Sequence, residues 1–523
     1  MKLADILQGV DYKFDRSSAD TETWDVKGLS CDSREIESGW VFVAHVGKLE
    51  LGAKYIPDAV RRGAIAVVVE DGAEVETEAA VIRVKDTRRA LAVMAANFER
   101  HPADSLIMVG ITASNGKTST SFMVDEIIKA AGIESGLLGT VFARTGKRVV
   151  PSLLTTPDST HLQSYLRDMV DSGFKACTME VSSISIAMNR VYGIDYDVLS
   201  FANISREHID DHGDFETYFG LKASAVKRLS RDAIFVYNED DERIRALTRE
   251  TAAGCYGFSV KRPDAFCSLQ HLDLSTGRGK FSFLLDGERI EITLNVSGYH
   301  NVINALAAAT IVRAMLDSPK NRNQGLRIDA KHIKQGLENF RGVERRFECI
   351  YDREFKIFDD HFANPGNIDV TFETIHKMSY RTFHLCYGVR GFRGTTVNRE
   401  NAEAMVKHLE RLGVNRIVAS SSIDTVTSKD AVTPEEKAVF LDCMNQAGIA
   451  VDYYDRLTDA VRRVVDAAEP GDVILLAGCQ GMDSGGHIAL SALSKRHGDE
   501  SILEPIRERV CGFLPEQDVP DRE

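Results

Sequence analysis

Short apolar, β-rich runs alternate with helix-length amphipathic segments along almost the whole chain. Strands buried on both faces and joined by helical crossovers produce that rhythm, so the pattern predicts an α/β protein with mostly parallel sheets. Near the N-terminus, WVFVAH (40–45), AIAVVVE (64–70) and AVIRV (80–84) read as strands, and RRALAVMAANFER reads as a helix that stops before Pro102. They define a small α/β N-terminal domain over 1–103. SLIMVGITASNGKTSTSFMVDEIIKAAG restarts the pattern as strand, turn and helix, and strands follow at KACTMEVSS, DVLSFANI and AIFVYN. This predicts a central domain over 104–342, opened by the strand, Gly-Lys-Thr turn and helix expected of a P-loop-type ATPase domain. The helix HNVINALAAATIVRAM then leads through the polar DSPKNRNQGLR and a second helix to FRGVERRFECI. Strands recur at FKIFDDHF, FHLCYG, RIVASS and DVILLAG, which predicts a Rossmann-like C-terminal domain over 343–523.

Composition narrows the class. A chain of 523 residues is too long for one core, and about 100 to 200 residues per domain gives roughly three. No apolar run approaches the roughly 18 residues that span a bilayer, and Asp5 and Gln8 interrupt the start of the chain where a signal peptide would be apolar. The address expected is cytoplasmic, with no membrane partner. Nine cysteines, an odd number with no C-x-x-C pair, argue against a disulfide framework and a structural zinc site. A net charge of -14 opposes nucleic acid as a partner and favours small-molecule chemistry.

The stretch ITASNGKTST (111–120) joins a predicted strand to a predicted helix, and such a turn presents unpaired N–H groups and a positive helix end to an anion. Lys117 would reach the β- and γ-phosphates of a nucleotide, the Thr118 hydroxyl would ligate the Mg²⁺ that bridges them, and Gly116 permits close approach. Thr112, Ser114, Asn115 and Ser119 complete the ATP-binding loop. Ala113 stands where a glycine could take positive φ freely, so it is harmless only if the local φ is negative.

Glu180 ends an apolar strand, where open α/β sheets place ligand groups. His208 and His212 follow another strand end, and Lys222 lies on the next helix. Carboxylate, imidazole and lysine near ATP phosphates could build an Mg²⁺ site, because Mg²⁺ takes few protein ligands. Singly, each could equally be a cap or a solvated side chain. Asp210, Asp211 and Asp214 read better as turn and N-cap residues.

With these residues in place the sequence resembles the Mur ligases, the ATP-dependent amide-forming enzymes of peptidoglycan assembly, and above all their tripeptide-forming members. NGKTST, LLTTPDSTHLQ, MEVSS, NISREHIDDHGDFETYFGLKA, GYHNVINALAA and CDSREIESGWVFVA match family motifs in the family's order. The resemblance implies an acyl-phosphate mechanism that adds a free amino acid to UDP-N-acetylmuramoyl-L-alanyl-D-glutamate or a related carboxylate acceptor, with ATP and Mg²⁺. The alternatives are a paralogue that joins an amino acid to a non-peptidoglycan acceptor in a specialised pathway, and a non-catalytic nucleotide-binding protein, against which the intact Lys117, Thr118, Glu180, His208 and Lys222 speak. By the same likeness Lys117 stabilises the migrating phosphoryl group, Thr118 and Glu180 hold one metal, and His208 and Lys222 serve a second, Lys222 as a carbamate. Asn301, Asn304, Arg346 and Asp360 match nucleotide-contacting positions; Ser33, Thr155, Thr156, Ser182, Arg190, Arg393 and Arg399 match substrate-holding ones. Taken alone, Ser182 reads as a helix cap, Asn301 and Asn304 as a polar helix start, and Arg346 as a surface charge beside Arg345.

The C-terminal domain departs from the family pattern. ASSSIDTVTSKD stands for a D-N-P-R type motif and AGCQGMDSGG for G-K-G-H-E, Arg390 and Phe392 replace a glycine and an aspartate, and Ala363 replaces a histidine. In the central domain Ile184 and Met188 replace a histidine and a glutamine, and LELGAKYI lacks a D-G-H. The ATP machinery is intact in sequence; the substrate surfaces are altered, so the amino acid added is left open.

Overall fold

The computed structural model describes every residue except 17–20, 47–51, 153, 206–212, 274–278, 297, 508 and 510–523. The chain packs as two compact units: Met1–Leu272 with Lys280–Thr293 and His300–Asn339, and Asp273–Gly279 with Leu294–Tyr299 and Phe340–Glu523.

The first unit carries two sheets. Strands β1 (Tyr12–Arg16), β2 (Gly28–Ser30), β3 (Trp40–Val43), β4 (Ala66–Glu70) and β5 (Ala80–Val84) form a five-stranded sheet in the order β1-β5-β4-β3-β2. Only β1 runs antiparallel to its neighbour. Val41, Val43, Val68 and Ile82 pack on Leu91, Met94 and Ala95 of the helix Thr87–Phe98, while Phe42, Val67, Val69 and Val81 pack on Ile56 and Ala59 of the opposite layer. Covered faces on both sides explain why these strands read as unbroken apolar runs.

The central sheet has eleven strands: β6 (Ile107–Thr112), β7 (Gly136–Leu138), β8 (Phe142–Arg144), β9 (Val149–Pro151), β10 (Ala176–Glu180), β11 (Val198–Phe201), β12 (Ile234–Asn238), β13 (Gly254–Ser259), β14 (Cys267–Asp273), β15 (Lys280–Leu285) and β16 (Glu288–Thr293). Their order is β16-β15-β14-β13-β12-β11-β6-β10-β7-β8-β9. The strands expected at 105–110, 175–183, 197–204 and 233–238 are β6, β10, β11 and β12, parallel and adjacent at the middle. Sequence reading missed the two wings. β7 to β9 are three residues each, and β16 buries one side only, so neither carries a long apolar run. The helix Tyr299–Asp317 is apolar on nearly all sides and correspondingly buried.

In the second unit, β17 (Glu348–Asp352), β18 (Lys356–Asp360), β19 (Phe383–Gly388), β20 (Arg416–Ser420), β21 (Ala450–Tyr454) and β22 (Val473–Ala477) form a sheet in the order β17-β18-β22-β19-β20-β21. All pairs but β17–β18 are parallel. Helices Pro365–Ile375, Gly394–Leu412 and Pro434–Gln446 cover one face, and Leu457–Ala467 with Gly485–His497 the other. This is the doubly wound, Rossmann-like arrangement, and the whole is an α/β fold of three domains with mixed, mostly parallel sheets. Among the described residues eight cysteines are free thiols, five of them buried.

Candidate active site

β6 ends at Thr112, and the chain turns through Ala113 to Gly116 into the helix Lys117–Ala130. Gly116 takes the left-handed backbone, φ 85°, while Ala113 does not, so the alanine in the loop carries no strain. A Cβ on Gly116 would lie 2.5 Å from Asn304 Oδ1, so only glycine lets the helix Tyr299–Asp317 bring Asn304 against the loop. Asn304 Nδ2 donates to Asn301 Oδ1 at 3.4 Å. From the other side Asn203, at the end of β11, clasps the loop: its Oδ1 accepts from Asn115 N at 2.9 Å and its Nδ2 donates to Asn115 O at 2.8 Å. Ser205 N donates to Ser114 Oγ at 2.9 Å, and that hydroxyl lies 3.0 Å from Tyr218 OH. The loop's shape is therefore fixed by side chains outside it. Asn203 was not among the sequence candidates, although it opens the family-like stretch NISREHIDDHGDFETYFGLKA. The Lys117 head folds over the loop and donates to Ala113 O and Ser114 O, both at 2.8 Å, and Ser119 sits in the first helical turn.

Glu180 closes β10, which pairs in register with β6 so that Glu180 lies beside Ile111. The carboxylate is fully buried and accepts from Thr118 Oγ1 at 3.0 Å, Thr140 N at 2.8 Å and Thr140 Oγ1 at 3.0 Å. Thr140, another residue sequence reasoning passed over, also lies 3.2 Å from Thr155 Oγ1, from which its hydroxyl can accept while it donates to Glu180. Thr156 Oγ1 donates to the Glu180 carbonyl at 2.8 Å and accepts from Ser182 N at 3.1 Å, while Arg190 Nη1 donates to Thr156 O at 3.2 Å. Ser182 caps the helix Ser183–Ala187 through Ser185 N, as the plain reading of its position foresaw. The structure thus gathers Thr155, Thr156, Ser182 and Arg190 around the strand end that carries Glu180. Ser33 lies apart in the N-terminal domain, buried in the turn after β2 that Asp32 caps.

Lys222 is 1% exposed on the helix Phe215–Lys227, whose N-cap is Asp214. Its Nζ donates to Thr112 Oγ1 and Ala113 O, both at 3.0 Å. His208, His212, Asp210 and Asp211 lie outside the described residues. Among the described residues no group of three or more His, Cys, Asp or Glu side chains is placed to hold a metal ion. The hydroxyl of Thr118 and the carboxylate of Glu180 nevertheless offer the hard oxygens that Mg²⁺ prefers, and phosphate oxygens and water normally fill its remaining positions.

In the second unit the two neighbouring arginines have different fates. Arg345, with φ 57°, is buried; it donates to Asp359 at 3.2 Å, to Asp483, and to the carbonyls of Gly478 and Cys479. Arg346 is half-buried, not a surface charge, and acts electrostatically on Asp360. Burial pushes the Asp360 carboxyl up, against the Thr371 hydroxyl and Arg346, which favour its charged form. Arg393 reaches Asp430 at 3.4 Å, and Arg399 lies 3.9 Å from Cys443 Sγ.

A phosphate loop at the middle of a parallel sheet, backed by a strand-end carboxylate and followed by a doubly wound domain, is the build of an ATP-dependent ligase. Family models match in order along the chain: "Mur ligase family, catalytic domain" at residues 25–99, "Mur ligase middle domain" at 111–312 and "Mur ligase, glutamate ligase domain" at 345–480. A UDP-N-acetylmuramoyl-L-alanyl-D-glutamate--2,6-diaminopimelate ligase of Clostridium tetani is 30% identical over 487 residues, 91% of this chain and 94% of its own. Among solved structures, MurF from Acinetobacter baumannii superposes with a TM-score of 0.65 at 16% identity over 94% of this chain and 98% of its own. MurF from Thermotoga maritima, in complex with ADP, does so at 0.59 and 18% identity over 90% and 97%. The chain belongs to the Mur ligase family. It is accordingly an ATP-dependent acid–amino acid ligase that uses Mg²⁺.

Proposed function

We propose that the chain adds an amino acid to UDP-N-acetylmuramoyl-L-alanyl-D-glutamate, or to a closely related carboxylate acceptor, in peptidoglycan synthesis. The observation that carries this reading is the position of Glu180. Its side chain bonds the phosphate-loop residue Thr118, and its carbonyl and its partner Thr140 bond Thr156 and Thr155, the positions matched to the acceptor. One buried residue therefore ties nucleotide and acceptor together. The names of long, 30% identical relatives support the same acceptor.

In the reaction an acceptor carboxylate oxygen attacks the γ-phosphorus and ADP departs. The incoming amine then attacks the acyl carbon; the C–N bond forms, the C–O bond to phosphate breaks, and the proton leaves with phosphate or water. Lys117 lays positive charge on the migrating phosphoryl group, from a head already poised over the loop carbonyls. Bound Mg²⁺ neutralises charge that builds up on the phosphates. Thr118 and Glu180 hold one ion, and His208 with a carbamylated Lys222 a second. Thr112, Ser114, Asn115, Gly116, Ser119, Asn301, Asn304, Arg346 and Asp360 contact the nucleotide, and Ser33, Arg190, Ser182, Arg393 and Arg399 the other substrates. Residues 1–103, 104–342 and 343–523 act as acceptor, ATP and amino-acid domains. The site of action is the cytoplasm; no helix among the described residues is long and apolar enough to cross a membrane.

The test is phosphate release with ATP, Mg²⁺, UDP-muramoyl-dipeptide and a panel of amino acids. Release that requires both acceptor and amine is expected. Release only with an unrelated carboxylate would reassign the acceptor, and none with any pair would refute the reading.

A further inference from the structure

In a doubly wound sheet ligands sit beyond the carboxyl ends of the strands, where the strand order reverses. Here β22 enters between β18 and β19, and the loops after β19, β20 and β22 form that rim. The backbone is drawn tight across it: a Cβ on Gly388 would lie 2.9 Å from the Gly481 carbonyl carbon. Two non-glycine residues on the rim take the left-handed backbone, Phe392 at φ 56° and Ser422 at φ 55°. Such strain persists only where the surroundings enforce it.

For Phe392 the enforcement is visible. Glu436 accepts from the N–H groups of Phe392 at 3.1 Å, Arg393 at 2.8 Å, Gly394 at 2.7 Å and Thr433 at 2.9 Å. The loop is pinned with the Phe392 ring turned to water, 62% exposed, and after the neighbouring strand Ile423 is 63% exposed. These are the two most exposed large apolar side chains among the described residues. On the same rim the Ser422 hydroxyl is buried without a partner, and the buried Arg390 Nε likewise has none. The Arg393 side chain is 38% exposed; it donates to the Phe392 carbonyl at 3.2 Å and to Asp430 at 3.4 Å, and a guanidinium with five N–H donors can hold a further anion beside these.

The rim carboxylates are already engaged. Asp424 caps the helix Leu457–Ala467 through Leu457 N and Thr458 N, Asp483 pairs with Arg345, Asp430 faces Arg393, and Glu436 holds the loop. A second ammonium would find no uncommitted carboxylate among these, and its charge would lie beside two apolar side chains.

We infer that the amine substrate of this ligase is an α-amino acid with a single amino group and an apolar side chain, its carboxylate on Arg393 and its side chain over Phe392 and Ile423. This rests on the ligase reading above. It sets the chain apart from relatives named for 2,6-diaminopimelate.

The experiment uses the full chain with ATP, Mg²⁺ and UDP-muramoyl-dipeptide. Hydroxamate formation with hydroxylamine reports the acyl phosphate without any amino acid, so a failure there indicts the acceptor. Phosphate release with leucine, phenylalanine, lysine and meso-diaminopimelate then ranks amines. A kcat/KM for leucine or phenylalanine at least about tenfold above either diamine is expected from apolar contact alone. In Phe392→Asp and, separately, Ile423→Asp, the ratio of leucine to hydroxylamine turnover falls about tenfold, through KM. Preference for diaminopimelate or lysine, or an unchanged ratio in both variants, overturns the inference. Calorimetric titration of leucine into the chain keeps the question open to test if hydroxylamine gives nothing: heat with leucine and none with diaminopimelate supports it, the converse or no heat with leucine overturns it.

Discussion

Glu180→Gln separates a structural carboxylate from a metal ligand. The substitution keeps shape and removes charge at a residue with no exposed surface. Three hydrogen bonds reach the carboxylate, from Thr118 Oγ1, Thr140 N and Thr140 Oγ1. The glutamine carbonyl retains the Thr140 N–H, and its NH₂ faces the Thr118 and Thr140 hydroxyls, which can rotate to accept. What is lost is the charge assistance, about 1 kcal/mol for each of two bonds, partly offset because a buried amide is cheaper to desolvate than a carboxylate. A stability loss of about 1 to 2 kcal/mol follows, a fall of roughly 2 to 8 °C in Tm for a domain of this size. The catalytic loss is larger: withdrawing an anionic oxygen from Mg²⁺ costs about 10²-fold or more in turnover, about 2.7 kcal/mol, with the Mg²⁺ dependence moved to higher concentration. Phosphate release as a function of Mg²⁺, beside a thermal melt of the same preparation, reads both. Wild-type Mg²⁺ dependence would refute the metal role, and a variant that fails to fold would refute the hydrogen-bond reasoning.

Four further outcomes are expected. Lys117→Ala removes two bonds to loop carbonyls at a half-buried position, so it costs about 1 kcal/mol of stability yet abolishes ATP turnover; unchanged turnover would sink the assignment. Lys222→Ala loses activity that short-chain carboxylates partly restore, since they can stand in for a carbamate, and no recovery with any of them counts against carbamylation. Gly116→Ala forces alanine into φ 85° and drives Asn304 away, at about 1 to 2 kcal/mol for the backbone and about tenfold in ATP affinity; calorimetric ATP binding at the wild-type level would remove Asn304 from the nucleotide site. The Asp158 hydrogen bond, outweighing partial burial, holds the His161 pKa above its ordinary value. The stability that pair contributes is complete below about pH 6.5 and is lost as pH rises through the elevated folded pKa, so urea midpoints at pH 6 and pH 9 should differ less in His161→Asn than in the parent.

The sequence disclosed the middle of each sheet and little of its margins. β6, β10, β11 and β12 are legible because both faces are covered, which forces continuous apolar runs. The wings escape the same test: β16 alternates exposed and buried positions, and β7 to β9 are too short to show any period. The loop and Glu180 were legible for a different reason, because a glycine at a strand–helix junction and a carboxylate at a strand end are costly unless a ligand explains them. Asn203 and Thr140 carry no such cost. Their roles follow from bonds across 88 and 40 residues, which no local pattern encodes.

The rim of the C-terminal unit shows where residue-by-residue matching stops being informative. Arg345 and Arg346 differ in sequence only by the family match of Arg346, yet the structure separates them: Arg345, on a left-handed backbone, joins the ion cluster with Asp359 and Asp483, and Arg346 acts on Asp360. Phe392 reads as a lost aspartate until the loop is seen pinned from behind by Glu436, 44 residues away. Strain that a fold enforces through four backbone donors is kept for what it presents, and here it presents an apolar ring beside an arginine. The altered motifs are better understood as a rim rebuilt around a different side chain than as one that has decayed, because decay would not hold Phe392 in place.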